Sequence, residues 1–284
     1  MKRSRRLRVL IVLPLFFLAA CQKMAELPSE PDDLEPPPVT GEDPVLPAAS
    51  DPAAEISPPD IAEPPSPPPE YPSVALAADW ADNGLSTGRV NYQNTFKRGG
   101  AAVLTADGSF PQVGVAAIDT YYLNCRDDFE RLCESGAEEA GDGTPYQFDA
   151  GFTIEINAGG LLSVSRTVFQ YRGGAHGGAD IRCETFSAVS GKLLTLDDFF
   201  PAGRDEYTGR MLEYIDAAID AAPGEFWPDA KQIARDLFPY DLFCVTKDGI
   251  SLFFPEYNLS SYAAGTVRVD VPWGAVADIF VLPG

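Results

Sequence analysis

From Val115 to Leu132 the apolar positions Ile118, Tyr122, Cys125, Phe129 and Leu132 recur at spacings of four, three, four and three. That period predicts an amphipathic helix. Further on, Phe152, Ile154 and Ile156 alternate with Thr153 and Glu155, which is the period of a strand. A hairpin is predicted from Phe148 to Tyr171, turning at Asn157-Ala158-Gly159-Gly160. The glycine-rich turn Gly173-Gly174-Ala175-His176-Gly177-Gly178 leads into a strand from Asp180 to Ala188. Ser190-Gly191-Lys192 turns the chain, and Leu193 to Leu196 continues as strand. Tyr207, Met211, Ile215 and Ile219 line one face of a helix expected from Gly203 to Ala222 and ended by Pro223-Gly224. A shorter helix, Pro228 to Leu237, has proline in its first turn. Strands Leu242–Thr246, Ile250–Phe254 and Val267–Val271 follow, the first two joined by Lys247-Asp248-Gly249, and a helical turn starts near Trp273. Upstream, Arg89 to Leu104 reads as one or two short strands, Asp107-Gly108 as a turn, and Ala137 to Thr144 as a loop. Strands and helices come in blocks, so the expected class is α+β: antiparallel sheets with helices packed on one face.

The start of the chain has another character. Lys2, Arg3, Arg5, Arg6 and Arg8 precede an apolar run from Val9 to Leu18, and small residues follow. That is a secretory signal peptide. The run is too short to span a bilayer, which takes about 20 residues. Leu18-Ala19-Ala20-Cys21 resembles the lipobox of bacterial lipoproteins. The resemblance implies cleavage after residue 20 and acylation of Cys21, with palmitate-type chains holding the protein to the membrane. Two or more acyl chains give lasting attachment, whereas one binds reversibly. An ordinary exported protein with cysteine after the cut is the alternative. Gln22 stands where aspartate would retain such a protein in the inner membrane, so in a Gram-negative cell the expected place is the outer membrane, facing the periplasm.

Residues 21–72 hold 16 prolines and 12 acidic residues, with Lys23 as the one base. Runs such as Pro36-Pro37-Pro38 cannot build a core, so a disordered acidic tether precedes the folded part. From residue 73 onward there are 15 basic and 30 acidic residues. Once the signal is removed the net charge is −26. Such a field excludes nucleic acid as a partner and favours cationic ones, although acidity also serves solubility alone.

Four cysteines remain, Cys125, Cys133, Cys183 and Cys244. An even number in an exported chain suggests two disulfides. Cys183 and Cys244 lie in strand-like segments and are paired here, which leaves Cys125 with Cys133. A single unbroken helix would hold those two about 12 Å apart at 1.5 Å per residue, beyond the roughly 7 Å a disulfide allows. Either the helix breaks or that pairing fails. No C-x-x-C pair is present, and His176 is the one histidine, so no metal site is expected. No G-x-S-x-G elbow and no phosphate-binding glycine loop occurs, and no cofactor is expected. Candidate ligand-contacting residues are His176 with Gly174 in the glycine-rich turn, and Tyr257 and Tyr262 in the aromatic segment after Phe253-Phe254. A structural turn role is the competing reading for His176, and packing beneath a loop for the aromatic segment.

Three motifs taken together resemble a known family. Phe110-Pro111-Gln112-Val113 before a helix, Tyr171-Arg172-Gly173-Gly174-Ala175-His176-Gly177, and Ser261-Tyr262-Ala263-Ala264-Gly265 after an aromatic strand are similar to paired domains of unknown function, families 3298 and 4163. The stretch Ser190-Gly191-Lys192 to Asp198-Phe199-Phe200 matches the link before the family's helix. The resemblance implies a first subdomain at 73–172 of the 4163 type and a second at 173–284 of the 3298 type. Members include the extracellular part of lysozyme-sensing anti-sigma factors and the accessory region of a peptidoglycan deacetylase. It therefore implies an envelope binding module for lysozyme-like cationic enzymes or for peptidoglycan, rather than an enzyme. A carboxylate-dependent enzyme acting on cell-wall glycan is the alternative.

Overall fold

The computed structural model describes residues 80–283, apart from residue 142. The signal peptide, Cys21 and the tether expected at 21–72 lie outside the described residues.

Six strands form one sheet in the order β1 (Gly88–Arg98), β2 (Ala101–Gln112), β3 (Tyr146–Ala158), β4 (Leu161–Tyr171), β5 (Gly178–Ser187) and β6 (Leu193–Leu194). Three more form a second sheet, β7 (Phe243–Val245), β8 (Gly249–Phe254) and β9 (Val267–Pro272). The α+β class holds, and neighbouring strands pair antiparallel with one exception. β2 and β3 run parallel, Leu104 to Gly108 against Tyr146 to Ala150. A parallel pair needs a crossover, and α1 (Ala116–Glu139) supplies it.

Glycine explains two departures from the sequence-based expectation. Asp107-Gly108 is no turn; it lies in the middle of β2. A Cβ on Gly108 would meet the Phe129 ring at 3.0 Å, so the glycine serves the packing of α1 on the sheet. The upstream turn is instead Gly99-Gly100, both at positive φ, which joins two long strands where short ones were expected. The helix also runs further than its apolar period, through Glu139. The Arg98 guanidinium donates to the carbonyls of Ala137, Glu138 and Ala140 and so satisfies its last turn. Leu193-Leu194 forms only a two-residue strand, because Thr195 and Asp198 make a capping box that opens α2 (Leu196–Phe199).

Two cores result. One lies between α1 and the six-stranded sheet, with Tyr92, Leu104, Phe110, Ile118, Tyr122, Phe129 and Phe148. Inside it the Arg166 and Glu184 side chains form a bidentate pair, 9% and 4% exposed, over the Tyr122 ring. The other core joins the second sheet to α3 (Arg204–Ala221), α4 (Ala230–Asp236) and α5 (Trp273–Val276). Tyr207, Met211 and Ile215 are fully buried there, as the four-residue spacing predicts. The expected boundary at 172/173 falls between β4 and β5, which pair along their whole length.

Candidate functional site

Along a strand, alternate side chains share a face. On β5, Cys183, Ile181 and Ala179 point away from α1, toward the second sheet. Cys183 packs against the cluster that holds Cys244 of β7. Ile181 packs with Cys244 and Phe253. The Ala179 N–H donates to Glu256 Oε2 at 3.4 Å. Beyond the start of β5, the His176 ring stacks on Tyr262 with centroids 4.0 Å apart and planes 24° apart. Tyr257 extends the stack, 5.9 Å from Tyr262. A single seam between the two sheets therefore ends in an aromatic ledge.

The ledge is open to solvent. His176 is exposed, Tyr257 is 56% exposed and Tyr262 is half-buried. Tyr257 is the one non-glycine residue at positive φ (65°) among the described residues. A tyrosine held there is uncommon and marks a position over-determined by its surroundings. Trp227 contributes: its indole N–H donates to the Tyr257 carbonyl at 3.3 Å while the ring stays 39% exposed. Gly177 is required by shape, since a Cβ there would fall 2.4 Å from the Phe169 ring. His176 Nδ1 donates to the Gly177 carbonyl at 2.9 Å, which orients the ring.

Phe169 leads from the ledge to a second feature. It stands opposite Asp149 in the β3–β4 register, and Asp149 stands opposite Asp107 in β2. These carboxylates line an open groove of about 530 Å³ with Gln93, Asn94, Thr95, Thr105 and Gln147. Asp107 accepts from the Gln93 amide at 3.0 Å and Asp149 from the Gln147 amide at 2.7 Å. Neither forms an ion pair with a described residue.

Of the residues expected from sequence, His176, Tyr257 and Tyr262 come together. Gly174 stands apart from the stack: it is at φ 91°, and its carbonyl accepts from the Tyr171 hydroxyl at 3.1 Å. Cys183 and Cys244 meet, as thiols. The pairing of Cys125 with Cys133 is corrected: α1 runs unbroken through both, so they are two turns apart and out of bonding reach. Burial pushes the Cys133 thiol up to about 12 and raises Cys125 as well, which makes both poor nucleophiles. No group of three or more potential metal ligands exists among the described residues. Asp127 and Asp128 lie outward on α1, paired with Arg126 and Arg131. Trp227, Glu256 and the groove residues were missed. Exposed polar strand positions look alike in sequence, and only the parallel β2–β3 pairing brings Asp107 beside Asp149.

Known proteins share parts of this chain. The Immunogenic protein MPT64 of Mycobacterium tuberculosis is 24% identical over 163 residues, which cover 56% of this chain and 70% of that protein. Immunogenic protein MPB64 of Mycobacterium bovis matches to the same extent. Two solved structures share the fold. A DUF3298 family protein from Pseudomonas aeruginosa superposes with a TM-score of 0.55 at 14% identity, covering 72% of this chain and 99% of its own. A member of the same family from Bacteroides fragilis gives 0.53 at 16% identity, covering 70% and 95%. Residues 197–274, within the half expected to resemble family 3298 and carrying α3, α4 and the whole second sheet, match the family described as Protein of unknown function (DUF3298).

Proposed function

We propose that this chain is an envelope lipoprotein, anchored through Cys21 and lifted from the membrane by its acidic tether, whose folded part binds a cationic protein of the lysozyme type. The pairing of a 4163-type first half with the 3298-type second half belongs to the same proposal. The observation that carries it is the exposed His176–Tyr262–Tyr257 ledge, next to which the Glu256 carboxylate accepts from the Ala179 N–H. Exposed tyrosine rings attract guanidinium and ammonium groups by their quadrupoles, and aromatic anchors dominate protein interfaces. The groove supports the same ligand class, since among the described residues Asp107 and Asp149 have only amide partners. The surplus of acidic residues would speed the encounter and make it salt-sensitive.

Calorimetry at about 0.15 M salt tests this, with lysozyme beside a control protein of equal size and charge. Selective binding of lysozyme is expected. Equal or absent binding of the two overturns the reading. A second ligand, peptidoglycan, is favoured by the amide and hydroxyl lining of the groove, and salt-insensitive binding to uncharged glycan would select it. Release of soluble fragments from purified peptidoglycan would instead make the Asp107–Asp149 pair the centre of a carboxylate enzyme.

A further inference from the structure

The seam between the sheets has four contacts in sequence order along β5: Cys183 with Cys244, Ile181 with Phe253, Ala179 with Glu256, and His176 with Tyr262 just before the strand. All four are non-covalent. The first packs two thiols into one buried cluster, on strands that approach within 8 Å, Cα to Cα. A disulfide spans about 4.4–6.8 Å between Cα atoms, so closure requires the two strands to bring Cys183 and Cys244 within that span. Cys244 is fully buried and Cys183 half-buried, and Ile181, Phe253 and Leu242 surround them. Among the described residues the other two cysteines, Cys125 and Cys133, are on α1, in the other core or at its edge.

We propose that Cys183 and Cys244 close a disulfide that staples β5 to β7 and thereby holds the strand that follows His176 against the segment carrying Tyr257 and Tyr262. The chemistry is thiol–disulfide exchange. One thiolate attacks a disulfide-bearing oxidant to give a mixed disulfide, and the second thiolate displaces the remaining half. Two thiols lose two protons and two electrons, and the oxidant leaves as two thiols. The neighbouring Cys244 thiol and burial raise the Cys183 thiol above its ordinary range, which disfavours its reactive thiolate. The loop closed between the two cysteines contains β6, α2, α3 and α4, so the cross-link also restricts the unfolded chain. The staple stands independently of any ligand; its value to the ledge rests on the binding reading above.

The test uses the full chain, oxidised with glutathione disulfide, then alkylated in denaturant and digested. A linked peptide holding Cys183 and Cys244, with Cys125 and Cys133 both alkylated, is expected. Alkylation of both Cys183 and Cys244, or any other linkage of either, overturns the staple. Because His176 is the only histidine, its ring protons give a unique nuclear magnetic resonance signal. Stacked on Tyr262, that signal is expected upfield and sharp in the oxidised chain. After reduction, or in Cys183→Ser, it should broaden or move toward free imidazole. An identical signal in both states overturns the positioning role even if the disulfide forms. If linkage and signal behave as expected but lysozyme does not bind, the ligand reading fails and the staple stands.

Discussion

On the face of the six-stranded sheet turned away from α1, β4 and β5 present Leu161, Ser163, Ile181, Cys183 and Thr185, whereas β1 to β3 present Gln93, Thr95, Thr105, Asp107, Gln147 and Asp149. The first set is covered by β7 and the second core. Ser163 bonds Thr185 at 2.7 Å and accepts the Val245 N–H at 3.1 Å. The second set is open and forms the groove. The difference follows from desolvation. A small hydroxyl can be buried when it finds partners at once, while a carboxylate without a cation stays in water. The aromatic ledge sits where the covered half gives way to the open one. Where Glu155 faces the seam it is covered and has a cation, Arg268 of β9 at 3.2 Å.

This contrast can be broken by substitution. The largest effect is expected at Leu161, 1% exposed and packed into the second core. Leu161→Ala should cost about 2–5 kcal/mol in urea unfolding, and Thr105→Ala, on the open half, less than about 0.5 kcal/mol. Equal costs would mean that the groove is covered in solution. Next is Ser163→Ala, which strips the buried Val245 N–H of its acceptor and should cost about 1–3 kcal/mol. A neutral result would show that the hydroxyl does not tie the sheets. Tyr262→Ala should leave the melting temperature within a few degrees while weakening lysozyme binding by about tenfold or more. Unchanged affinity would remove the ledge from the interface.

The smallest effect concerns Asp198, away from both halves. Its hydrogen bond with Lys192, and next the Thr195 N–H, hold its carboxyl below the usual carboxylate range. The folded value lies below the unfolded one of about 3.9, so this contribution is complete above about pH 4 and is lost as pH falls through the folded value. Asp198→Asn should cost about 1 kcal/mol at neutral pH, and the gap from the parent should close in acid. A gap that persists at low pH would assign the loss to the side chain's shape rather than its charge.

Much of this fold is legible in the sequence because its period is regular. α3 follows from Tyr207, Met211 and Ile215, and the β3–β4 hairpin from alternation around Gly159-Gly160. Three features were not legible, each for a physical reason. Gly108 looks like a turn residue, yet it is selected by the Phe129 ring across the core. The parallel pairing of β2 with β3 leaves no local mark, since it depends on how far α1 carries the chain. The groove consists of polar residues whose neighbours on other strands are known only from register. The ledge was half legible: His176, Tyr257 and Tyr262 stand out as rare or aromatic residues in loops, while Glu256 joins them through the seam and Trp227 through the Tyr257 carbonyl.

The most direct measurement follows the His176 ring signal while lysozyme is added to the oxidised chain. A saturable shift of that single resonance, absent with a control protein of equal size and charge, is the result predicted for a ligand seated on the ledge. Binding that leaves the His176 signal unmoved would place the ligand elsewhere and contradict the account.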